Sequence, residues 1–259
     1  MASRTGYARG SSAQVSLERR VALTQWGPAV VAVLPLDAVT STSPVSAALS
    51  IVLQSLSPVS VVAVDADGDN QPLRYMLNST GAGDLIGLAS AHGALRRRAV
   101  EDFVDVQARV PLASCWLDGP GAIPPGIMRD AIWKLQRRYP ALVVDVPHGV
   151  PAPTMAAVCE LATHVVLVGD GADARHDWLH AGGSVVSRLA ATGAVTVVGV
   201  GGSDTIRSVC RECAVVPIGV PHAGIMSEGP ADADSNLTYG LAEVIVRIGE
   251  ARMAGEAPA

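Results

Sequence analysis

Apolar residues along this chain follow two rhythms. Seven short runs are continuous and rich in valine: Val30 to Leu34, Val59 to Val64, Leu112 to Leu117, Ala141 to Val146, His164 to Val168, Ala194 to Val200 and Ala214 to Pro217. Such runs are expected of strands buried on both faces. Between them, Ser43 to Leu56, Pro124 to Arg138, Pro153 to Leu161, Asp173 to Ala190 and Leu237 to Arg252 repeat their apolar residues near the helical period, the last through Leu237, Leu241, Val244 and Ile248. Asn236 stands where it would cap that final helix. Strands alternating with helices predict crossover units, hence an α/β fold of three layers, α/β/α, around a mostly parallel central sheet of about seven strands. The rhythm breaks between Asp69 and Val110, where only short helical pieces are expected, around Leu85 to Leu95 and Val100 to Val104.

Composition narrows the picture. With 259 residues, 49% of them hydrophobic and 17% charged, the chain can bury one large core. A single domain is expected over 26–254, with 1–25 as a flexible tail and 255–259 as a short C-terminal one. The first 25 residues carry Arg4, Arg9, Arg19 and Arg20 without the apolar centre of a secretory signal, and Met1 to about Ser16 reads as mobile. No run approaches the roughly 18 apolar residues of a membrane-spanning helix. A net charge of −5, with Arg96 to Arg98 as the one dense basic run, argues against nucleic acid or anionic lipid as a partner. Four cysteines, Cys115, Cys159, Cys210 and Cys213, are too few for a disulfide scaffold and suit the cytoplasm.

The stretch with most chemical meaning is Ala29 to Ser50, a strand running into a loop of small residues and then a helix. That is the order of a phosphate-binding unit, in which loop amides and the helix N-terminus hold phosphate oxygens while a lysine neutralises them. Two further strands end in acids: one at Asp65-Ala66-Asp67, the other at Asp145, followed by Pro147 and Gly149. Together these stretches resemble the MinD/ParA group of deviant P-loop ATPases, over about Gly27 to Glu250. The resemblance implies the P-loop NTPase fold. It also implies a loop of the form K-G-G-x-G-K-T-T, a D-x-D that helps organise the attacking water, and a D-x-P-x-G that carries the metal-linked acid. The stretches around DARHDWLHAGG and PIGVPHAGIMSEG are similar to MinD-like proteins associated with type VII secretion systems.

Aligned on that loop, the chain has lost its chemistry. Leu36 stands at the signature lysine, Asp37 and Ala38 at the paired glycines, Thr40 at the next glycine and Ser41 at the phosphate lysine, while Thr42 and Ser43 keep the hydroxyls. No glycine occurs between Gly27 and Gly68, and the chain's one lysine, Lys134, lies in a helical segment. Amides cannot approach phosphate as closely without glycine, and a carboxylate at Asp37 repels it. The expectation is a catalytically inactive pseudo-ATPase with no catalytic residue, no cofactor and no metal, acting as a protein-binding scaffold or regulator in a secretion or cell-pole assembly. The alternative is an ATPase that still binds ATP and Mg2+ through Thr42, Asp65, Asp67 and Asp145. In the MinD/ParA group the signature lysine reaches the nucleotide of a facing subunit; with Leu36 there, no ATP-switched sandwich dimer is expected.

Other constellations yield to simpler readings. His176 and His180 have the i, i+4 spacing of a zincin, but the glutamate between them is missing and Asp177 is a methylene short. Cys210 and Cys213 have redox spacing but precede a strand, where thioredoxin's pair opens a helix. GVGGSD after Ala194 to Val200 offers no obvious purine-reading amide, and no G-x-S-x-G occurs. The C-terminal GEARMAGEAPA is acidic and small, unlike a basic amphipathic membrane anchor.

Overall fold

Valine and alanine, compact and without polar demands, let strands be covered on both faces at close distance. In the computed structural model, which describes residues 12–23, 28–80, 83–91, 97–116, 121–170, 183–200, 213–219 and 235–256, they build β1 (Ala29–Pro35), β2 (Val61–Asp65), β3 (Leu112–Ala113), β4 (Ala141–Asp145), β5 (His164–Gly169), β6 (Val195–Val200) and β7 (Ala214–Ile218). These form one seven-stranded sheet in the order β3-β2-β4-β1-β5-β6-β7, and every ladder in it is parallel. The helices are α1 (Ser12–Leu23), α2 (Ser43–Leu56), α3 (Pro72–Met76), α4 (Leu85–Ser90), α5 (Arg97–Glu101), α6 (Pro125–Leu135), α7 (Ala152–Leu161), α8 (Val185–Ala191) and α9 (Ser235–Glu256).

Successive residues of a strand face opposite ways, so β1 serves two cores. Val31 and Val33 point with Leu49 and Val52 of α2 and Leu241 and Val244 of α9 into one. Val30, Ala32 and Leu34 point with Met128 and Ile132 of α6 and Val158 of α7 into the other. The three-layer arrangement is the result. Small residues along α2 let it lie close to the sheet, and two of its serines satisfy themselves on the preceding turn: Ser50 Oγ donates to the Ser46 carbonyl at 2.7 Å and Ser55 Oγ to that of Ile51 at 2.7 Å.

Three expectations need correction. Residues 12–23 are a helix, not part of a flexible tail: Leu17 and Val21, one turn apart, are buried in the α2/α9 core, and Arg20 pairs with Glu250 of α9 at 2.5 Å. The third strand stops at Ala113 instead of running to Leu117. There the side chains of the α3 turn take over the backbone acceptors. Gln71 Nε2 donates to the Trp116 carbonyl at 2.9 Å, and buried Arg74 donates to the Cys115 carbonyl, to Ser114 Oγ at 2.9 Å and to Gln71 Oε1 at 3.1 Å. Asn236 lies within α9, which begins at Ser235. The short helical pieces fall at Leu85–Ser90 and Arg97–Glu101.

Candidate functional site

In this strand order the chain leaves β1 toward β2 and later crosses from β4 to β5 on the other side of β1. A crevice therefore opens at the carboxyl ends of β1, β4 and β5, where open parallel sheets bind ligands. The loop between β1 and α2 lies there. Leu36 continues the line of β1, its amide donating to the Val168 carbonyl at 2.7 Å, and its side chain is buried in the core shared with α6 and α7.

Asp37 organises the rest of the loop. Its Oδ1 accepts the amides of Val39 at 3.0 Å and Thr40 at 2.7 Å, and its Oδ2 accepts Thr40 Oγ1 at 2.9 Å and the Asp170 amide at 2.9 Å. Burial pushes this carboxyl up, but the hydrogen bonds from Thr40, Asp170 and Val39 outweigh it and hold the group below the usual carboxylate range. Gly169 makes the contact possible: a Cβ there would lie 2.6 Å from Asp37 Oδ2 and 3.0 Å from Leu36 Cβ. Ala38 and Ser41 are exposed, as is Val39, at 71%.

Behind the loop lies a polar cluster. Asp145, at the end of β4, is fully buried; Ser46 Oγ donates to its Oδ1 at 2.7 Å. The hydroxyls of Thr42 and Ser43 gather near it, yet neither they nor Asp145 Oδ2 meets a partner in hydrogen-bond geometry. Burial raises Asp145, with the hydroxyls of Ser43, Thr42 and Ser46 opposing. Asp65 is its registered neighbour on β2 and accepts the amides of Asp67 at 3.1 Å and Leu73 at 2.9 Å. Burial, and next the charge of Asp145, push Asp65 well above the usual range. Two buried carboxyls thus stand side by side on adjacent strands, and a second charge beside the first is costly. Asp67 instead closes its own turn, accepting the amides of Asp69 at 2.9 Å and Asn70 at 3.0 Å and the Asn70 side chain at 3.0 Å. The structure thus gathers Thr42, Ser43, Ser46 and Asp65 around Asp145, leaves Asp67 on its own buried turn, and ties Leu36 and Asp37 to the end of β5.

Beside the loop is a cavity of about 580 Å3 lined by Leu34, Pro35, Leu36, Asp37, Ala38, Pro147, His148, Val150, Ala152 and Met155. Lys134 does not reach it. Its ammonium is buried and donates to the carbonyls of Leu88 at 3.0 Å, Ala89 at 2.5 Å and Ala91 at 2.8 Å, closing the C-terminus of α4. Among the described residues no cluster of three or more His, Cys, Asp or Glu is arranged to hold a metal. His176, His180, Cys210 and most of the segment from Gly201 to Pro230 lie outside the described residues, whereas Cys213 is described, partly buried just before β7. Reading the sequence missed the Gln71–Arg74 clamp and the pairing of Gly169 with Asp37. The glycine ending an apolar strand was the available signal for the second; nothing local signalled the first.

No protein-family model matches the sequence, and no curated protein matches it. Solved structures do match the fold. A ParA family ATPase from Chlorobium tepidum superposes with a TM-score of 0.61 at 17% identity, covering 86% of this chain and 99% of that one. The cell division ATPase MinD of Pyrococcus furiosus gives 0.58 at 20% identity, covering 87% and 98%. The MinC:MinD cell division complex of Aquifex aeolicus gives 0.58 at 13% identity, covering 89% and 98%. With its seven parallel strands, its β1-loop-α2 unit and these likenesses, the chain has the fold of the MinD and ParA P-loop ATPases.

Proposed function

We propose that this chain is a pseudo-ATPase, a MinD/ParA-type fold that has given up ATP and Mg2+ and serves as a cytoplasmic protein-binding scaffold or regulator, in a secretion or cell-pole assembly. The observation that carries the reading is the Asp37 carboxylate. It occupies the amides of Val39 and Thr40, which a phosphate would need, and fixes a negative charge beside them. Repulsion between that charge and a phosphate oxygen is worth about 4 kcal/mol at 4 Å and the effective dielectric of a protein surface. The residues present do not fit a triphosphate. Protein partnership suits the fold, since a MinD of this shape is seen in complex with MinC. The net charge of −5 argues against nucleic acid, and no described helix is long and apolar enough to cross a membrane. With Leu36 turned into the core, nothing at that position reaches toward a facing subunit, so partner contacts do not use an ATP-switched sandwich dimer.

Thermal unfolding and sedimentation of the full chain, with and without millimolar ATP and Mg2+, test the reading. Any ligand of the native state raises stability by mass action, so an unchanged Tm and an unchanged mass are expected. A reproducible rise in Tm or a monomer-to-dimer shift overturns it. A second reading, an ATPase with an unusual loop, draws support from one observation: Thr42 Oγ1, Ser43 Oγ and Asp145 Oδ2 are buried oxygens without partners, the donor type that Mg2+ takes. With Asp65 and Asp67 nearby, a partner chain would supply the missing positive charge. The same experiment separates the two.

A further inference from the structure

We infer that the cleft beside the β1–α2 loop is a binding site for a small organic cation, an apolar body carrying one ammonium group. The cavity of about 580 Å3 falls within the roughly 300–1,000 Å3 of small-molecule sites, at the carboxyl ends of β1 and β4 where such sites form. Its walls are mainly apolar, from Leu34, Pro35, Leu36, Val150, Ala152 and Met155. Its ionisable side chains are Asp37, 5% exposed, and one imidazole, His148.

What decides the class of ligand is that, among the described residues, this charge meets no lysine or arginine. The groups bound to Asp37 are three backbone amides and a hydroxyl, all neutral. Among the described residues no ion pair includes it, and no lysine or arginine lines the cavity. Lys134 is committed to the end of α4 and Arg74 to the β3 side of the sheet. Apolar walls around one sign of charge concentrate its field in the cleft. Because hydrogen-bond donors already occupy both Asp37 oxygens, recognition is by charge at short range and not by donated hydrogen bonds. A trimethylammonium head should therefore serve about as well as a primary one. This site goes beyond the scaffold reading and does not depend on it.

Titration calorimetry on the full chain at pH 7 tests the inference with four probes of one apolar body: hexylammonium, hexyltrimethylammonium, 1-hexanol and hexanoate. Both cations are expected to bind saturably and at least about tenfold more tightly than the alcohol, a modest part of the Coulomb energy available at this distance and effective dielectric; hexanoate should not bind. Two variants locate the site. Met155→Lys places an ammonium at the partly exposed cavity wall and should weaken hexylammonium at least about tenfold. Asp37→Asn should erase the preference for the cations over hexanol. Absence of cation binding, equal binding of hexanol, or hexylammonium binding that survives Met155→Lys in a folded protein would each overturn the assignment.

Discussion

Replacing Asp37 by alanine removes acceptors from the amides of Val39, Thr40 and Asp170 and from the Thr40 hydroxyl, at 2.7–3.0 Å. Hydrogen bonds to an ionised group contribute about 1.5–3 kcal/mol each when water cannot replace them. Here it partly can. Ala38, Val39 and Ser41 are exposed, so the freed loop donors turn to solvent, and the net loss for Asp37→Ala comes to about 2–3 kcal/mol. Asp37→Asn keeps an oxygen for the Val39 and Thr40 amides but turns an NH2 toward the Asp170 N–H, for a loss of about 1 kcal/mol. Urea unfolding at pH 7, read as a change in midpoint at constant slope, measures both. The pH dependence adds an independent check. The Asp37 pKa in the folded chain is lowered from 3.8, so its stabilising contribution is complete above that value and is lost as pH falls through the folded pKa. The gap between wild type and Asp37→Asn should be constant near neutrality and close in acid. An Asp37→Ala variant within about 0.5 kcal/mol of wild type, the usual scatter of surface substitutions, would refute the idea that this carboxylate holds the loop.

Lys134→Met should cost about 2–4 kcal/mol by leaving the last carbonyls of α4 unpartnered, offset in part by the ammonium's desolvation. Scanning calorimetry checks it, and an unchanged Tm would mean that water replaces the cap. His164 is buried, with Nε2 3.0 Å from Thr196 Oγ1 and Nδ1 unpartnered, and burial lowers its pKa from 6.5 to about 4. Its neutral form is the one the fold accepts, so stability is full above the unfolded value of 6.5 and declines as pH falls toward the folded pKa. His164→Gln should flatten the pH 7 to 5 slope of unfolding free energy; an unaltered slope would place the titration elsewhere. Rebuilding the loop with Leu36→Lys, Asp37→Gly, Ala38→Gly, Thr40→Gly and Ser41→Lys should produce weak nucleotide binding by calorimetry. A folded variant without it would show that the pocket walls have diverged too.

The sheet was legible because its strands satisfy one demand, continuous apolar burial, which valine-rich runs announce. Helix α2 was read at its observed bounds, Ser43–Leu56, since its apolar period and its proline in the first turn agree. Helix α1 was not legible: among its described side chains Leu17 and Val21 reach the core, set among arginines and serines, and its order comes from packing against α9, a partner more than two hundred residues away in sequence. The end of β3 is likewise decided by the side chains of Gln71 and Arg74, which local pattern does not reveal. In the candidate site, the absence of glycine and lysine from residues 28–67 could be read directly. The role of Asp37 was only half plain, since a sequence places a carboxylate in the loop but does not show that it takes over the amides of Val39, Thr40 and Asp170.

That takeover bears on whether the chain can act as a switch. A bound ligand shifts a conformational equilibrium only through its different affinity for the two states, and a nucleotide does so because it can arrive, react and leave. Asp37 is an anion for the same loop amides, but it is part of the chain and its effective concentration never changes. It holds the amides of Val39 and Thr40 to β1 and, through the Asp170 amide, ties the loop to the end of β5. The Leu36 side chain packs on the same side and fixes the strand end in the core. On the pseudo-ATPase reading, a loop closed in this way keeps one resting geometry. If the chain is a scaffold, the surface it offers a partner is therefore constant, and regulation must enter through something that competes for Asp37 itself or changes the field in the cleft beside it.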